Sequence, residues 1–402
     1  MALIVQKYGG SSLADVEKLK FVAEKIVKTK RQGNKVVVVV SAMGKTTDGL
    51  ISLAREITAS PPEREMDMLL ATGEMVSVSA LCMAIEACGE AAEGFPGYFA
   101  GIKTDGVHTR ARIQTIEPAR ILDELKKESI VVVAGFQGLS PENMITTLGR
   151  GGSDLTAIAV AAAIKADSCE IYTDVDGVFT CDPNRVKEAV LISEISYEEM
   201  LEMASMGANV MLSRAVEFAK KYNVPFYVRS TFKQGEGTMV KELSVKEGAV
   251  VSAVSADEKQ AKISIFRIPD RPGVASMIFS AMGREHINVD MIVQSVGSGN
   301  MANISFTVNI LDLEKAMGIA RAKGLELAAE KVEADREITK ISIIGIGMMN
   351  HPGVAGEMFT TLSDAGINIQ MISTSEIKIS CVVSKADGEK ALKAIHKRFI
   401  EK

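Results

Sequence analysis

Lys7 closes a short, mostly apolar run and is followed, after Tyr8, by Gly9, Gly10, Ser11 and Ser12. Paired glycines let backbone N–H groups come close to a phosphate, and a helix beginning just after them adds its positive end. The Lys7 ammonium would then bridge to a phosphoryl group in transfer. A second cluster, TLGRGGSD (Thr147 to Asp154), sets Arg150 among Gly149, Gly151 and Gly152, placed to grip a carboxylate or phosphate with two parallel hydrogen bonds. Ser153 and Asp154 also suit the cap of the helix that follows. A third cluster, SAMGKTTDGL (Ser41 to Leu50), contains Gly-Lys-Thr, but Val39 stands where the first glycine of a P-loop belongs. It reads as a substrate loop with hydroxyl donors.

Two other signals fail on inspection. YTDVDG (Tyr172 to Gly177) opens like a calcium loop, yet Arg185 occupies the position of the closing bidentate ligand. GIGMMN (Gly345 to Asn350) lacks the third glycine of a dinucleotide fingerprint. The four histidines, His108, His286, His351 and His396, lie outside all three loops. A hydroxyl acceptor often needs a general base, whereas a carboxylate is ionised already at neutral pH. A site of lysine, arginine and glycines without histidine therefore fits phosphoryl transfer to a carboxylate, where positioning and charge neutralisation dominate.

The elements that must position these loops alternate strand and helix over roughly the first 230 residues, an α/β pattern. Strands are expected at Leu3 to Gln6, Lys35 to Val40, Ile130 to Ala134 and Glu170 to Thr173, with Pro225 to Arg229 the last. Helices are expected at Asp15 to Lys30, Met66 to Ala87, Asp154 to Lys165, Tyr197 to Met206 and Leu212 to Lys221. Residues 231–248 are polar and glycine-containing, which suits a linker between a 1–230 domain and a 249–402 region.

That region holds an internal repeat. Arg271 to Ser295 aligns without gaps onto His351 to Ser375, with Pro272/Pro352, Gly273/Gly353, Val274/Val354, Asn288/Asn368 and Met291/Met371 coinciding at a spacing of 80. Each copy reads β-α-β-β-α, the first over about 260–337 and the second over about 338–402. The second copy runs out of chain before a closing strand, so residues 249–256 (AVVSAVSA) are expected to complete it.

Composition narrows the classes. With 402 residues there is room for two or three domains, and 47% hydrophobic with 24% charged residues is ordinary for a globular protein. A net charge of −5 argues against a general nucleic-acid binder. The densest apolar run, Val36 to Val40, is strand-sized, so no membrane span is expected. The N-terminus does not read as a signal peptide, and the five cysteines are odd in number and scattered, which suits reduced thiols in the cytoplasm.

VQKYGGSSL, SAMGKTTDGL, MDMLLATGE, VAGFQG, TTLGRGGSD and YTDVDGVFTCDP, in that order, resemble the signatures of the aspartate kinases of short monofunctional type. The repeat, with ISTSEIKIS, resembles the paired ACT domains of that family. The resemblance implies a three-layer α/β/α amino-acid kinase sandwich followed by two α+β, ferredoxin-like ACT units. It implies ATP and L-aspartate as substrates, Mg²⁺ carried by the nucleotide with no dedicated protein ligand, and a homo-oligomer formed through the ACT units. Lys7, Arg150 and Asp154 become the catalytic residues. Lys7, Tyr8, Gly9, Gly10, Ser11, Ser41, Thr173, Asp174, Phe179 and Asn184 become nucleotide contacts. Lys45, Thr46, Thr47, Glu74, Arg150, Gly151, Gly152 and Ser153 become aspartate contacts, Glu74 pairing with the ammonium. An inhibitory amino acid, lysine or threonine or both, is expected at Asp270, Ala275, Asn288, Asp290 and Gln294 in one copy. In the other it is expected at Val354, Asn368, Ile369, Ser375 and Glu376. Three positions depart from the pattern: Phe179 replaces a usual tyrosine, Asn184 a usual arginine, and Asn209 a frequent lysine. Met239 is a conceivable internal start for a separate regulatory chain.

Overall fold

The run Lys35–Val40 is buried at every valine, as a strand covered by helices on both faces must be. The protein is described by a computed structural model over residues 1–149, 151–205, 211–243, 250–297 and 299–401. It divides into two units, Met1–Val178 with Leu191–Ser244, and Phe179–Val190 with Val245–Lys402.

The first unit opens with β1 (Leu3–Tyr8), α1 (Val16–Arg31), β2 (Lys35–Val40), α2 (Thr46–Ile57) and α3 (Glu63–Ala87). It continues through β3 (Ala92–Phe95), β4 (Ile102–Thr104), β5 (Ile113–Ile116), α4 (Ala119–Lys126), β6 (Ile130–Ala134), β7 (Gln137–Leu139) and β8 (Ile145–Thr147). Then come α5 (Gly152–Ile164), β9 (Ser168–Thr173), β10 (Glu194–Ser196), α6 (Tyr197–Ser205), α7 (Ser213–Tyr222), β11 (Phe226–Ser230) and β12 (Thr238–Lys241). Eight strands form one sheet in the order β10-β12-β11-β9-β1-β2-β6-β3, parallel throughout except between β11 and β12. The short strands β5-β4-β7-β8 make a second sheet. Val36, Val38 and Val40 pack with Val22, Ile26, Leu81 and Ile85 of α1 and α3. The intervening Val37 and Val39 point to the opposite face, where the alanine-rich α5, buried nearly all round, lies against β1 and β2.

Two expectations are corrected here. The strand Phe226–Ser230 is not the last, because Thr238–Lys241 joins the same sheet between β10 and β11, inside the stretch read as a linker. Only four residues long and preceded by KQGEG, it gave no strand signal. The second correction concerns apolar length: α3 is 25 residues with a mean hydropathy of 1.8 in its best window, enough to cross a membrane by length and composition. It also buries Asp67 and Glu74 and packs along β3, β6 and β8, which makes it a core helix of this unit.

The second unit contains β13 (Ala253–Asp257), β14 (Gln260–Pro269), α8 (Val274–Arg284), β15 (Val289–Val296), β16 (Met301–Asn309), α9 (Leu313–Glu326) and β17 (Lys331–Asp335). The second copy follows as β18 (Ile338–Ile344), α10 (Val354–Asp364), β19 (Met371–Thr374), β20 (Lys378–Ser384) and α11 (Gly388–Phe399). The sheets are β15-β16-β14-β17 and β13-β18-β20-β19. Thus β13 pairs antiparallel with β18, Ala253 opposite Ile344, just as β17 pairs with β14. Gly273 and Gly353 cap α8 and α10 at φ of 95° and 98°. Their left-handed backbone is the reason both copies keep glycine there.

Candidate active site

The parallel register brings the ends of four strands level. Tyr8 lies opposite Val40 and Tyr172, and Val40 opposite Ala134. The loops after β1, β2, β6 and β9 therefore leave one edge of the sheet, where open parallel sheets hold their ligands.

At that edge the Lys7 Nζ sits 2.6 Å from Asp154 Oδ1, both side chains about nine-tenths buried. Asp154 stands in the first turn of α5, whose cap Gly151 has φ 72°. Gly9 lies over the lysine, since a Cβ there would come within 3.4 Å of Nζ. A Cβ on Gly10 would lie 2.6 Å from the Ala42 carbonyl oxygen, so the first and third glycine clusters touch backbone to backbone. The Gly44 N–H donates to the Gly10 carbonyl at 2.9 Å across the same contact. Gly135 faces Ser153 as closely, 2.7 Å from the Ser153 Cβ by the same measure. The result is a small cradle of closely approaching glycine backbone, one cation and one carboxylate beside a helix N-terminus, a good fit for a chain of phosphates.

Glu74 lies two turns along α3 from Asp67 and is buried, not a solvated helix charge. Its Oε1 accepts the Ala42 N–H at 3.2 Å, while Oε2 is buried without a hydrogen-bond partner. Burial pushes the carboxyl up to about 7, opposed by the Ala42 amide. A buried carboxylate oxygen left unpaired beside a phosphate cradle is a ready acceptor for an ammonium group.

Sequence reasoning passed over Asp67. Fully buried, it accepts from His108 Nδ1 at 2.6 Å, from the Thr109 N–H at 3.0 and 3.1 Å, and from the Thr147 hydroxyl at 2.5 Å. Ser12 was also unassigned; its hydroxyl meets that of Thr231 at 2.6 Å, and the Thr231 N–H donates to the Thr173 carbonyl at 2.9 Å. None of these partners is near the other in sequence, so no local pattern marked them.

The comparisons with known proteins bear on this site. The profile of the amino acid kinase family matches residues 2–230, and that of the ACT domain matches 267–322 and 341–399. The aspartokinase of Mycolicibacterium smegmatis is 48% identical over 99% of this chain and 96% of its own. Aspartokinase 2 of Bacillus subtilis is 46% identical over 99% and 98%. The chain belongs to the aspartokinase family. It is an aspartate kinase in activity and an amino-acid kinase with ACT units in fold. The crystal structure of the Synechocystis aspartate kinase is 44% identical, covering 99% of this chain and 69% of that one, with a TM-score of 0.56. That of E. coli aspartokinase III in complex with aspartate and ADP is 23% identical over 98% and 99%, with a TM-score of 0.80, and shares the fold.

Within the chain the expected residues separate into groups. Lys7, Gly9, Gly10, Ser41, Glu74, Gly151, Gly152, Ser153 and Asp154 gather at the one sheet edge. Lys45 caps α2, the Thr46 hydroxyl donates to the Met43 carbonyl at 2.6 Å, and Thr47 is half-buried. Ser11 is exposed, and the Thr173 hydroxyl donates to Asp174 at 3.1 Å. The ring of Tyr8 is fully buried and stacked on Tyr172 with centroids 4.9 Å apart, and its hydroxyl donates to Gln6 at 3.2 Å. Its side chain is part of the core. Arg150 and Asn209 lie outside the described residues. Phe179 and Asn184 fall in Phe179–Val190, which belongs to the second unit. There Cys181 and Val186 join the core of the second ACT copy, and Arg185 pairs with Glu258 and Glu389.

Of the expected effector residues, Asp270, Ala275, Asn288, Asp290, Gln294, Asn368, Ser375 and Glu376 are exposed. Val354 belongs to the apolar core of its copy, and Ile369 packs against it. Asp290 is already paired with Lys340, whose side chain is almost wholly buried. At the equivalent place in the other copy, Lys262 donates to Gln370. The two copies are thus clasped by a pseudo-symmetric pair of contacts, one ionic and one neutral. Among the described residues no cluster of three or more His, Cys, Asp or Glu is arranged to hold a metal.

Proposed function

We propose that this chain transfers the terminal phosphoryl group of ATP to the side-chain carboxylate of L-aspartate, giving 4-phospho-L-aspartate and ADP. A carboxylate oxygen of aspartate bonds to the γ-phosphorus as the bond to the oxygen bridging the β- and γ-phosphorus breaks, and ADP leaves with that electron pair. The observation that carries the reading is the buried Lys7–Asp154 pair under the glycine cradle, with the unpartnered Oε2 of Glu74 beside it. Lys7 meets charge on the transferring group, and Asp154 holds the lysine in place. Glu74 receives the aspartate ammonium, Arg150 grips a substrate carboxylate, and Thr47 adds a hydroxyl donor. Gly9, Gly10, Ser11 and Ser41 surround the phosphates, and Thr173 with Asp174 meets the nucleoside. Mg²⁺ riding on the phosphates would supply further charge neutralisation, with Asp154 the carboxylate best placed near it. No proton transfer is required of the protein, because the acceptor is ionised at neutral pH.

The ACT units bind an end-product amino acid, lysine or threonine or both, in a homo-oligomer, and that binding lowers turnover. The start at Met239 remains attached to this reading, although Met239 is a sheet residue of β12, opposite Glu194 and Tyr227.

The test is ADP release over a panel of amino acids, with lysine and threonine added singly and together. Aspartate-dependent release is expected, and glutamate or acetylglutamate turning over in its place would refute the assignment. Lys7→Ala should abolish turnover while leaving effector binding intact by calorimetry.

A further inference from the structure

We propose that Asp67 and His108 are positioning residues that fix the aspartate end of the site. This rests on the reading that aspartate lies between Glu74 and the N-terminus of α5. The Asp67 carboxylate accepts all four of its hydrogen bonds from two segments, the turn His108–Thr109 and the end of β8 at Thr147. Those segments are also joined to each other, since the Ala111 N–H donates to the Thr147 carbonyl at 2.9 Å. Arg214 of α7 straps them a second time, donating to the Leu148 carbonyl at 2.7 Å and the Ala111 carbonyl at 2.9 Å. Immediately beyond, the backbone turns at Gly149, and the Gly152 N–H donates back to its carbonyl at 3.0 Å. A Cβ on Gly149 would lie 3.2 Å from the Thr109 carbonyl oxygen, so the turn rests directly on the segment that Asp67 holds.

The same helix that carries Asp67 presents Glu74 two turns later on the same buried face. One rigid element therefore sets both the ammonium acceptor and, through Asp67, the turn that starts α5 with Gly151, Gly152, Ser153 and Asp154. The distance between the two ends of a bound amino acid is fixed by α3. His108 is the accessible member, its side chain 21% exposed while that of Asp67 is 0%. It can be removed without opening the core.

The experiment is steady-state kinetics on the full chain for His108→Ala, His108→Asn and Thr147→Val, with melting followed by calorimetry. His108→Ala should raise the aspartate KM about tenfold, the scale of one charge-assisted hydrogen bond, and leave the ATP KM within about twofold. His108→Asn carries an N–H donor near the Nδ1 position and should restore the aspartate KM to within about threefold of wild type. Thr147→Val removes the hydroxyl donor at similar volume and should reproduce the aspartate-selective loss, which covers the case of a poorly folding alanine variant. Equal rises in both KM values, no change in either, or no rescue by asparagine in a protein that melts like wild type would overturn the positioning role. Failure of the wild type to turn over aspartate at all is a separate result that would remove the underlying reading.

Discussion

At the scale of single residues Glu74 is the most exacting case. Burial holds its carboxyl protonated up to about pH 7, whereas in the unfolded chain it ionises near 4.5. The folded state therefore binds the extra proton between those values, and the stability gained from it is lost as pH rises toward and through 7. Substrate binding asks for the opposite form, since only the ionised carboxylate attracts an ammonium. The aspartate KM should rise about tenfold between pH 8 and pH 6 while the ATP KM stays level. Glu74→Gln should flatten that profile and raise the aspartate KM across it. The same variant should be more stable than wild type at pH 8, by up to about 3 kcal/mol, because no charge is left buried. Equal urea midpoints for the two proteins at pH 8, or an aspartate KM that does not change with pH, would show that Glu74 is solvated in a way the geometry denies.

At the scale of elements, the glycine loops work by backbone contact, and that is where substitution is least forgiving. Gly10→Ala would drive a methyl group to 2.6 Å from the Ala42 carbonyl, backbone against backbone with no side chain to yield. The turn has to shift, and a shift of about 1 Å at a transfer site costs on the order of a hundredfold in rate. Turnover should fall by at least that factor with the circular dichroism spectrum unchanged; a normal rate would mean the loops are not the phosphate cradle. These contacts mark what the sequence could tell. Paired glycines after a strand are local, and so are the valine strand and the duplicated PGV helix starts, whose positive φ both copies need. The ring of Tyr8, by contrast, has an alternating neighbour in Lys7, and only the pairing with β9 stacks it on Tyr172 inside the core. The four-residue β12 has too little apolar sequence to register against KQGEG. Asp67 finds its partners 41, 42 and 80 residues away, so its role exists only once α3, β8 and the intervening turn are folded together.

At the scale of the whole molecule, the path of the chain itself joins the two units. It leaves the first unit at Val178, contributes Phe179–Val190 to the second, and returns at Leu191. The excursion is anchored in depth: the Val254 N–H donates to the Thr180 carbonyl at 2.7 Å, the Thr180 hydroxyl meets Nε2 of the buried His396 at 3.1 Å, and Val186 is 2% exposed in the core of the second copy. Only a few residues upstream lie Thr173 and Asp174, which the functional reading places at the nucleoside. On the proposed function, a change in the packing of the second ACT copy would have a short covalent path to the nucleotide loop. If effector and nucleotide are coupled this way, the coupling must be reciprocal, each ligand changing the other's affinity by the same factor. Calorimetric titration of the inhibitory amino acid with and without a non-hydrolysable ATP analogue measures that factor, expected at about fivefold or more in the wild type. Val186→Ala opens a cavity at the anchor, a local loss of about 2 kcal/mol, and should bring the factor close to one while basal kcat stays within about threefold. An unchanged factor in a variant that still folds and still binds the effector would mean that regulation reaches the active site by another route.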